Sequence, residues 1–391
     1  MSQNESTAAK DVRNVCVVLV DRANYGRVHP VMRAIQNDQD LDLLTVCAGT
    51  MLLERFGQAE NTVLADGFYV DGRVYMEVEG SIPSTMAKSI GLGVIEFSSE
   101  FQRLKPDIVL LIGDRYEAFA ASIAAAYMNI PLAHIQGGEI SGSIDESARH
   151  AITKLAHIHF PSTERAAEYV LRMGEHEDYV FNVGCPSGDY INSLDTHLPR
   201  DLFDKEGVGA GLDLDLPFIL VIYHPVTSQF ENERSQAEQL LRALDELAHP
   251  TLWIWPNIDA GGDHISKAIR VYREHNDVKW LHLVKNLEPV TYQKCLKKTV
   301  CAVGNSSSFI RDSTFSGTPV VLVGDRQVGR EHGTNLKTTP IEKNSIIAAI
   351  KEQLSHGPYE SCNLYGDGCS SERIVKHLKN IDLYTQKKLQ Y

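Results

Sequence analysis

Long apolar runs are missing from this chain of 391 residues. None approaches the ~18 consecutive apolar residues that a membrane-crossing helix needs, so no membrane partner is expected. The opening MSQNESTAAKDVRN lacks the charged-then-apolar order of an export signal and reads as a flexible tail, residues 1–14. Cysteine is scattered as seven single residues: Cys16, Cys47, Cys185, Cys295, Cys301, Cys362 and Cys369. The odd count and the lack of any CxxC pair argue against a disulfide framework and a zinc site. A reduced, cytoplasmic protein with no metal is expected. Positive charge is in deficit, with Lys+Arg 38 against Asp+Glu 51 and a formal net charge of −13. That balance argues against a nucleic-acid partner. It does not exclude a small anionic ligand, which responds to local potential. No GxGxxG is present, so no dinucleotide cofactor is indicated.

What remains is a globular composition, 43% hydrophobic and 23% charged, long enough for two domains. Short apolar runs read as buried strands at 15–20, 41–48, 107–113, 130–135 and 179–184. Helical patterns at 28–38, 84–104, 117–129 and 145–156 separate them. Strands alternating with helices imply a parallel sheet covered on both faces. The pattern restarts with strands at 218–224, 251–256, 278–283, 300–305 and 319–324. Helices are expected near 231–248, 261–275, 288–298, 306–316 and 341–354. The Gly/Asp-rich stretch 193–216 is the linker candidate. The expectation is α/β, two doubly wound Rossmann-like domains over 15–192 and 217–369, with a terminal helical segment over 370–391. Ligands of such folds sit outside the carboxyl ends of the strands, here in the cleft between the domains.

Polar residues concentrate where strands end. After the first strand comes DRANYGR (21–27), a turn whose Arg22 and Arg27, at a helix start, suit a diphosphate. A surface loop with solvated arginines explains it equally well. Gly113-Asp114-Arg115 follows the 107–113 strand, although an isolated aspartate there could simply cap a helix. His134-Ile135-Gln136-Gly137-Gly138-Glu139 ends the next strand and leads to Asp145, Glu146, Arg149 and His150. On a helix, Glu146 with His150 and Asp145 with Arg149 are four apart and can pair without any function. So many titratable groups at one strand end nevertheless suit acid/base chemistry. In the second half His224-Pro225-Val226-Thr227 and Asn257-Ile258-Asp259 follow strands. Gly304-Asn305-Ser306-Ser307-Ser308 runs from strand into helix, which suits a phosphate or a plain serine cap. Asp312 and Asp325-Arg326 come next.

Taken together, these segments resemble the hydrolysing UDP-N-acetylglucosamine 2-epimerases, enzymes that begin sialic acid-type sugar synthesis. The resemblance spans about residues 15–385. It is carried by DRANYGR (21–27), RLKPDIVLLIGDR (103–115), GGEISGSIDESARHAITKLAH (137–157) and GCPSGD (184–189). HPVT (224–227), PNIDAG (256–261), GNSSS (304–308), GTPVVLVGDRQVGRE (317–331) and YGDG (365–368) complete it. It implies a glycosyltransferase-B-type architecture with the active site in the interdomain cleft and a terminal helix crossing back to the first domain. A nucleotide-sugar substrate such as UDP-N-acetylglucosamine is implied, with no cofactor, in a homodimer or homotetramer. By motif position, Ser306 and Ser307 would hold the diphosphate and Arg326 the nucleotide. Asp312 stands where the family usually has a glutamate gripping the ribose. Arg22, Arg115 and His224 would reach the diphosphate or leaving group. Arg27, Gln136 and Asn257 join the binding candidates. Asp114, Glu139, Asp145 and Glu146 are the acid/base candidates, with His224 beside them in the catalytic set. Gln136 departs from the glutamate many relatives carry, and an amide cannot exchange that proton.

The mechanism implied is loss of the C2 proton together with expulsion of the nucleotide from C1, giving a 2-acetamidoglycal. Water then adds at C1 and a proton returns to C2 from the opposite face. The rival readings are a glycosyltransferase of the same fold, an epimerase that keeps the nucleotide, and a non-catalytic nucleotide-sugar sensor.

Overall fold

The computed structural model describes residues 12–80, 82–205, 207–226 and 232–390. The tail up to residue 11 and Thr227 of HPVT lie outside them. The first half is built from β1 (Arg13–Leu19), α1 (Arg22–Gln36), β2 (Leu41–Ala48), α2 (Glu60–Ala65), β3 (Gly72–Val74) and α3 (Pro83–Leu104). β4 (Ile108–Ile112), α4 (Tyr116–Tyr127), β5 (Leu132–Ile135), α5 (Ile144–Leu155), β6 (Ile158–Phe160), α6 (Glu164–Arg172) and α7 (Gly188–Ile191) follow. The strands lie parallel in the order β3-β2-β1-β4-β5-β6.

The second half contains α8 (Leu202–Lys205), β7 (Val208–Gly209), β8 (Ile219–Ile222), α9 (Glu233–Leu247), β9 (Thr251–Ile254), α10 (Gly262–His275) and β10 (Leu281–Val284). α11 (Pro289–Lys298), β11 (Cys301–Gly304), α12 (Ser308–Ser316), β12 (Val320–Val323), β13 (Leu336–Thr339) and α13 (Lys343–His356) complete its layers. The order β13-β12-β11-β8-β9-β10-β7 repeats the first topology, with β7 added antiparallel at the edge. Both sheets therefore have the doubly wound order of a Rossmann domain.

Continuous apolar runs make these strands because both sheet faces are covered. In β1, Val15, Val17 and Leu19 face one helical layer, while Cys16 and Val18 face the other. Phe218, Leu220 and Ile222 against Ile219, Val221 and Tyr223 divide the same way along β8.

The structure departs from sequence expectation in several places, among them the short helices α2, α6, α7 and α8, which the reading does not contain. Arg13 and Asn14, read as tail, belong to β1. DRANYGR is no turn: Asp21 caps α1 through a 2.6 Å bond from the Asn24 amide, and the helix starts at Arg22. Residues 179–184 form no strand. They run beside β6 with bonds from Phe181 N to His159 O and Val183 N to Pro161 O. Proline has no N–H to return, so the ladder stops at one bridge. The sequence reading also misses the edge strands β3, β6, β7 and β13, each of four residues or fewer, and β7 falls inside the stretch 193–216 read as linker.

The chain ends in α14 (Ser370–Asn380), which lies on α1. Ile374, Val375 and Leu378 enter the core that holds Val28, Met32 and Ile35. Lys379 pairs with Asp40 at 2.5 Å and with Asp38 at 3.3 Å. Leu378→Ala should lower the unfolding free energy by about 2–5 kcal/mol, the cost of emptying a packed leucine site. The urea midpoint reads this directly, and an unchanged midpoint would show that α14 adds nothing to that core.

Candidate functional site

The strand order places one switch point in each domain, where successive crossovers leave in opposite directions. In the first domain it lies between β1 and β4, in the second between β8 and β11. The segments that follow these strands are DRANYGR, Gly113-Asp114-Arg115, His224 and GNSSS. They face each other across an open cleft. Arg22, Arg27, Asp114, Arg115, Asp145, His224, Asn257, Ser306, Ser307, Asp312 and Arg326 line it. Gln136, Glu139 and Glu146 stand behind that lining.

Arginines dominate one side. Arg27 donates to Gln136 Oε1 at 2.9 Å, to the Ala23 carbonyl at 3.2 Å and to Asn24 Oδ1, all neutral acceptors. Arg22 lies 3.7 Å from Glu288. Arg115 is gripped by Glu117 through two bonds of 3.0 and 3.1 Å and by Asp259 of the second domain at 2.5 Å, with Asp21 at 3.6 Å. Glu117 is fully buried. Burial, with Glu77 adding to it, pushes its carboxyl up to about 8 against the pull of a shared Arg115.

The carboxylates divide by environment. Burial alone would raise Asp114, but Arg149, Arg330 and Arg311 outweigh it and hold the group well below the carboxylate range. Asp145 goes the other way. Burial raises it, Arg326 at 3.0 Å opposes, and the charges of Asp114 and Asp259 add to the rise. Glu139 is buried between Arg311 at 2.6 Å and Arg330 at 2.7 Å, which overcome its desolvation and lower its pKa. Glu146 accepts from the Ser141 amide and lies 3.7 Å from His150, as the four-residue spacing suggests. The other local pair does not form. Arg149 is bonded to Asp114, and Asp145 reaches Arg326 across the cleft.

His224 is held neutral, lowered to about 3 by burial and by Arg326. The Asn257 amide donates to its Nδ1 at 3.2 Å, so the proton sits on Nε2. Asn305 exchanges two bonds with the His224 backbone, 2.7 and 2.8 Å, tying the ends of β8 and β11. Gly304 turns the chain there at φ +146, and a Cβ would lie 1.9 Å from the Ile222 carbonyl, so no side chain fits. Ser306 and Ser307 then open α12, whose N-terminus favours anions. Asp312 accepts from Ser187 at 2.9 Å and from Gln293 at 2.8 Å.

Sequence reasoning missed Glu117, Arg149, Asp259, Arg311 and Arg330 as parts of this site. Asp259 and Arg330 lay inside motifs already singled out, and Glu117 stands two residues after Arg115. Among the described residues, no group of three or more His, Cys, Asp or Glu side chains is arranged to hold a metal. No described helix is long and apolar enough to cross a membrane.

Residues 33–379 match the family described as UDP-N-acetylglucosamine 2-epimerase. The chain is 36% identical over 375 residues to a UDP-N,N'-diacetylbacillosamine 2-epimerase (hydrolyzing) of Legionella pneumophila, covering 96% of this chain and 98% of that one. It is 33% identical over 326 residues to a GDP/UDP-N,N'-diacetylbacillosamine 2-epimerase (hydrolyzing) of Campylobacter jejuni, covering 83% of each. Its fold matches UDP-GlcNAc 2-epimerase from Neisseria meningitidis bound to UDP-GlcNAc, with a TM-score of 0.77 at 18% identity, over 93% of this chain and 99% of that one. With two doubly wound domains closing on an arginine-lined cleft, the chain belongs to the UDP-N-acetylglucosamine 2-epimerase family.

Proposed function

We propose that this chain is a hydrolysing 2-epimerase. It takes a UDP-sugar with an acetamido group at C2, inverts C2, and releases UDP and the free hexosamine. The names of the Legionella and Campylobacter relatives favour UDP-N,N'-diacetylbacillosamine over UDP-N-acetylglucosamine. A free 2-epimer of this kind is the class of sugar that feeds nonulosonic acid synthesis. The observation that carries the reading is a pair of carboxylates from different strand ends that line one arginine-rich cleft, Asp114 bonded to Arg149 and Asp145 3.0 Å from Arg326, in surroundings that lower the first and raise the second. Inversion at one carbon needs a base on one face and an acid on the other.

In this scheme ionised Asp114 takes the C2 proton as the C1–O bond to the diphosphate breaks, and the C1–C2 double bond forms. Arg27, whose partners are neutral, together with Ser306, Ser307 and the α12 N-terminus, receives the charge gathering on the diphosphate. Neutral His224 offers a hydrogen bond from Nε2–H to the departing diphosphate and keeps its proton. Water adds its oxygen to C1 and gives up one proton to solvent, and Asp145 returns a proton to C2 on the other face. Asp114 then sheds the original C2 proton to solvent and Asp145 takes one up, which restores both carboxyls. Asp312 keeps a free lone pair on each oxygen beside its bonds to Ser187 and Gln293, enough for a ribose diol. Arg326 serves the nucleotide side and restrains Asp145.

Incubation in D2O with each of the two UDP-sugars tests the function. The expected products are UDP and a free 2-epimer with deuterium at C2, faster from the diacetamido sugar. An epimer still joined to its nucleotide, or a free one retaining its original hydrogen, rules the scheme out.

Asp145→Asn should lower kcat about 100-fold or more, the scale of one acid/base group, while calorimetry shows UDP affinity nearly unchanged. Near-normal turnover would remove Asp145 from the proton path.

Arg27→Ala should weaken UDP binding by roughly 10- to 150-fold, as a charge-assisted bond contributes about 1.5–3 kcal/mol. Unaltered binding would place the diphosphate elsewhere.

A further inference from the structure

Two buried arginines of the second domain reach behind the cleft, Arg311 on α12 and Arg330 in the segment after β12. There they join Arg149 of α5. These three guanidinium groups face two carboxylates, Asp114 and Glu139. Arg330 Nη1 lies 2.7 Å from Glu139 Oε2, and its Nη2 lies 3.9 Å from Asp114 Oδ2. Arg311 reaches the same Glu139 oxygen at 2.6 Å and donates to Ser307 Oγ at 3.0 Å. Arg149 bonds Asp114 and also donates to the Glu139 carbonyl at 2.5 Å. An unbroken chain of charged contacts thus runs from the start of α12 to Asp114. Among the described residues, Arg330 is the second-domain group that spans both carboxylates.

Stability does not account for this arrangement. Three cations against two anions leave one positive charge in excess, and burying unmatched charge is unfavourable. Among the described residues, Arg330 Nε and Nη1 find no hydrogen-bond partner, so the contact to Glu139 is an ion pair without hydrogen-bond alignment. Buried ionic groups of this kind are often replaceable by apolar side chains of similar size without loss of stability. The excess charge does have an effect on the carboxylates: it opposes their protonation.

We propose that Arg330 is a positioning residue for proton transfer: seating the second domain on the first delivers, through this side chain, the charge that keeps Asp114 ionised and aimed at the cleft. The proposal rests on the epimerase reading of that cleft. The groups facing Arg330 are Asp114 after β4, Glu139 after β5, Arg149 of α5, Arg311 of α12 and the Tyr365 hydroxyl ahead of α14. Burial and the two neighbouring arginines lower Arg330 only to about 10, so it stays a cation at neutral pH. Asp114 is therefore ionised at working pH, and removing Arg330 raises the pH at which it protonates.

The test compares wild type with Arg330→Met and Arg330→Lys. In Arg330→Met, kcat should fall roughly 10- to 100-fold with KM within about 3-fold and UDP affinity unchanged. The acid limb of the kcat profile should move to higher pH, and Arg330→Lys should restore most of both. A second measurement needs no turnover. In protein labelled with [13C]aspartate, with the Asp114 signal assigned by its absence in Asp114→Asn, that carboxyl should titrate at higher pH in Arg330→Met than in wild type. An acid limb and an Asp114 titration that both stay in place overturn the proposal, whatever happens to thermal stability. Loss of UDP affinity in step with kcat also overturns it, making Arg330 a ligand contact. Wild-type protein inactive on both UDP-sugars defeats the epimerase reading, and the carbon titration alone then decides the role of Arg330.

Discussion

The cleft depends on arginines of one domain meeting carboxylates of the other. Arg115 meets Asp259, Asp145 meets Arg326, and Glu139 meets both Arg311 and Arg330. All of these groups are buried except Asp145, which is half-buried. A lone buried charge is strongly unfavourable, and a buried pair is tolerated only with good geometry. Each domain alone would carry charges that need the other. Apposition of the domains and ionisation of the site are therefore one event. The backbone enforces the same contact. Gly142 donates to the Arg326 carbonyl at 3.0 Å, and a Cβ there would lie 2.1 Å from the Asp325 carbonyl. A side chain at that position would hold the domains apart.

The twofold use of one topology explains why the charges meet where they do. Each sheet reverses its winding between its first and fourth parallel strands, and the segments leaving those strands point away from the sheet. When two such sheets face each other, the polar residues that follow the strand ends carry the surface of the cleft, and the apolar strands lie packed behind them. Helix starts at α1 and α12 add the partial positive charge that suits a diphosphate. The cores on either side carry no part of the chemistry. They hold Asp114 and His224 at fixed positions across the gap.

Much of this was legible because strand ends are local features. Gly113-Asp114-Arg115 and GNSSS each sit within a few residues of an apolar run, and their place in the cleft follows from sheet order. Ion pairing was not legible. Arg115 and Asp259 are 144 residues apart, and Asp145 and Arg326 are 181 apart. No periodicity connects such partners. The local rule pairs Asp145 with Arg149, and it fails because Asp114 competes for Arg149 from the next strand end. The same rule succeeds for Glu146 and His150, which have no such competitor. Consecutive carboxylates, Asp145 and Glu146, consequently stand in different environments: one faces the second domain, the other closes its own loop.

Gln136 shows how a missing charge can shape the site. Its Oε1 accepts from Arg27 at 2.9 Å, and its Nε2 reaches Cys185 Sγ at 3.1 Å. Arg115 and Arg326 are both committed to carboxylates across the domain junction. A carboxylate at 136 would commit Arg27 in the same way, drawing its charge into a buried pair. The amide offers the same oxygen without the charge, as Asn24 does from the other side. Arg27 is thus oriented by neutral acceptors and not bonded to a carboxylate, and it lines the cleft with its charge acting on Asp312. The backbone at Gln136 is left-handed, φ 68, a conformation costing roughly 1–2 kcal/mol outside glycine. The bond from its amide to Phe160 holds it there, at 3.0 Å, so the sheet itself supports the strain that turns this side chain toward Arg27.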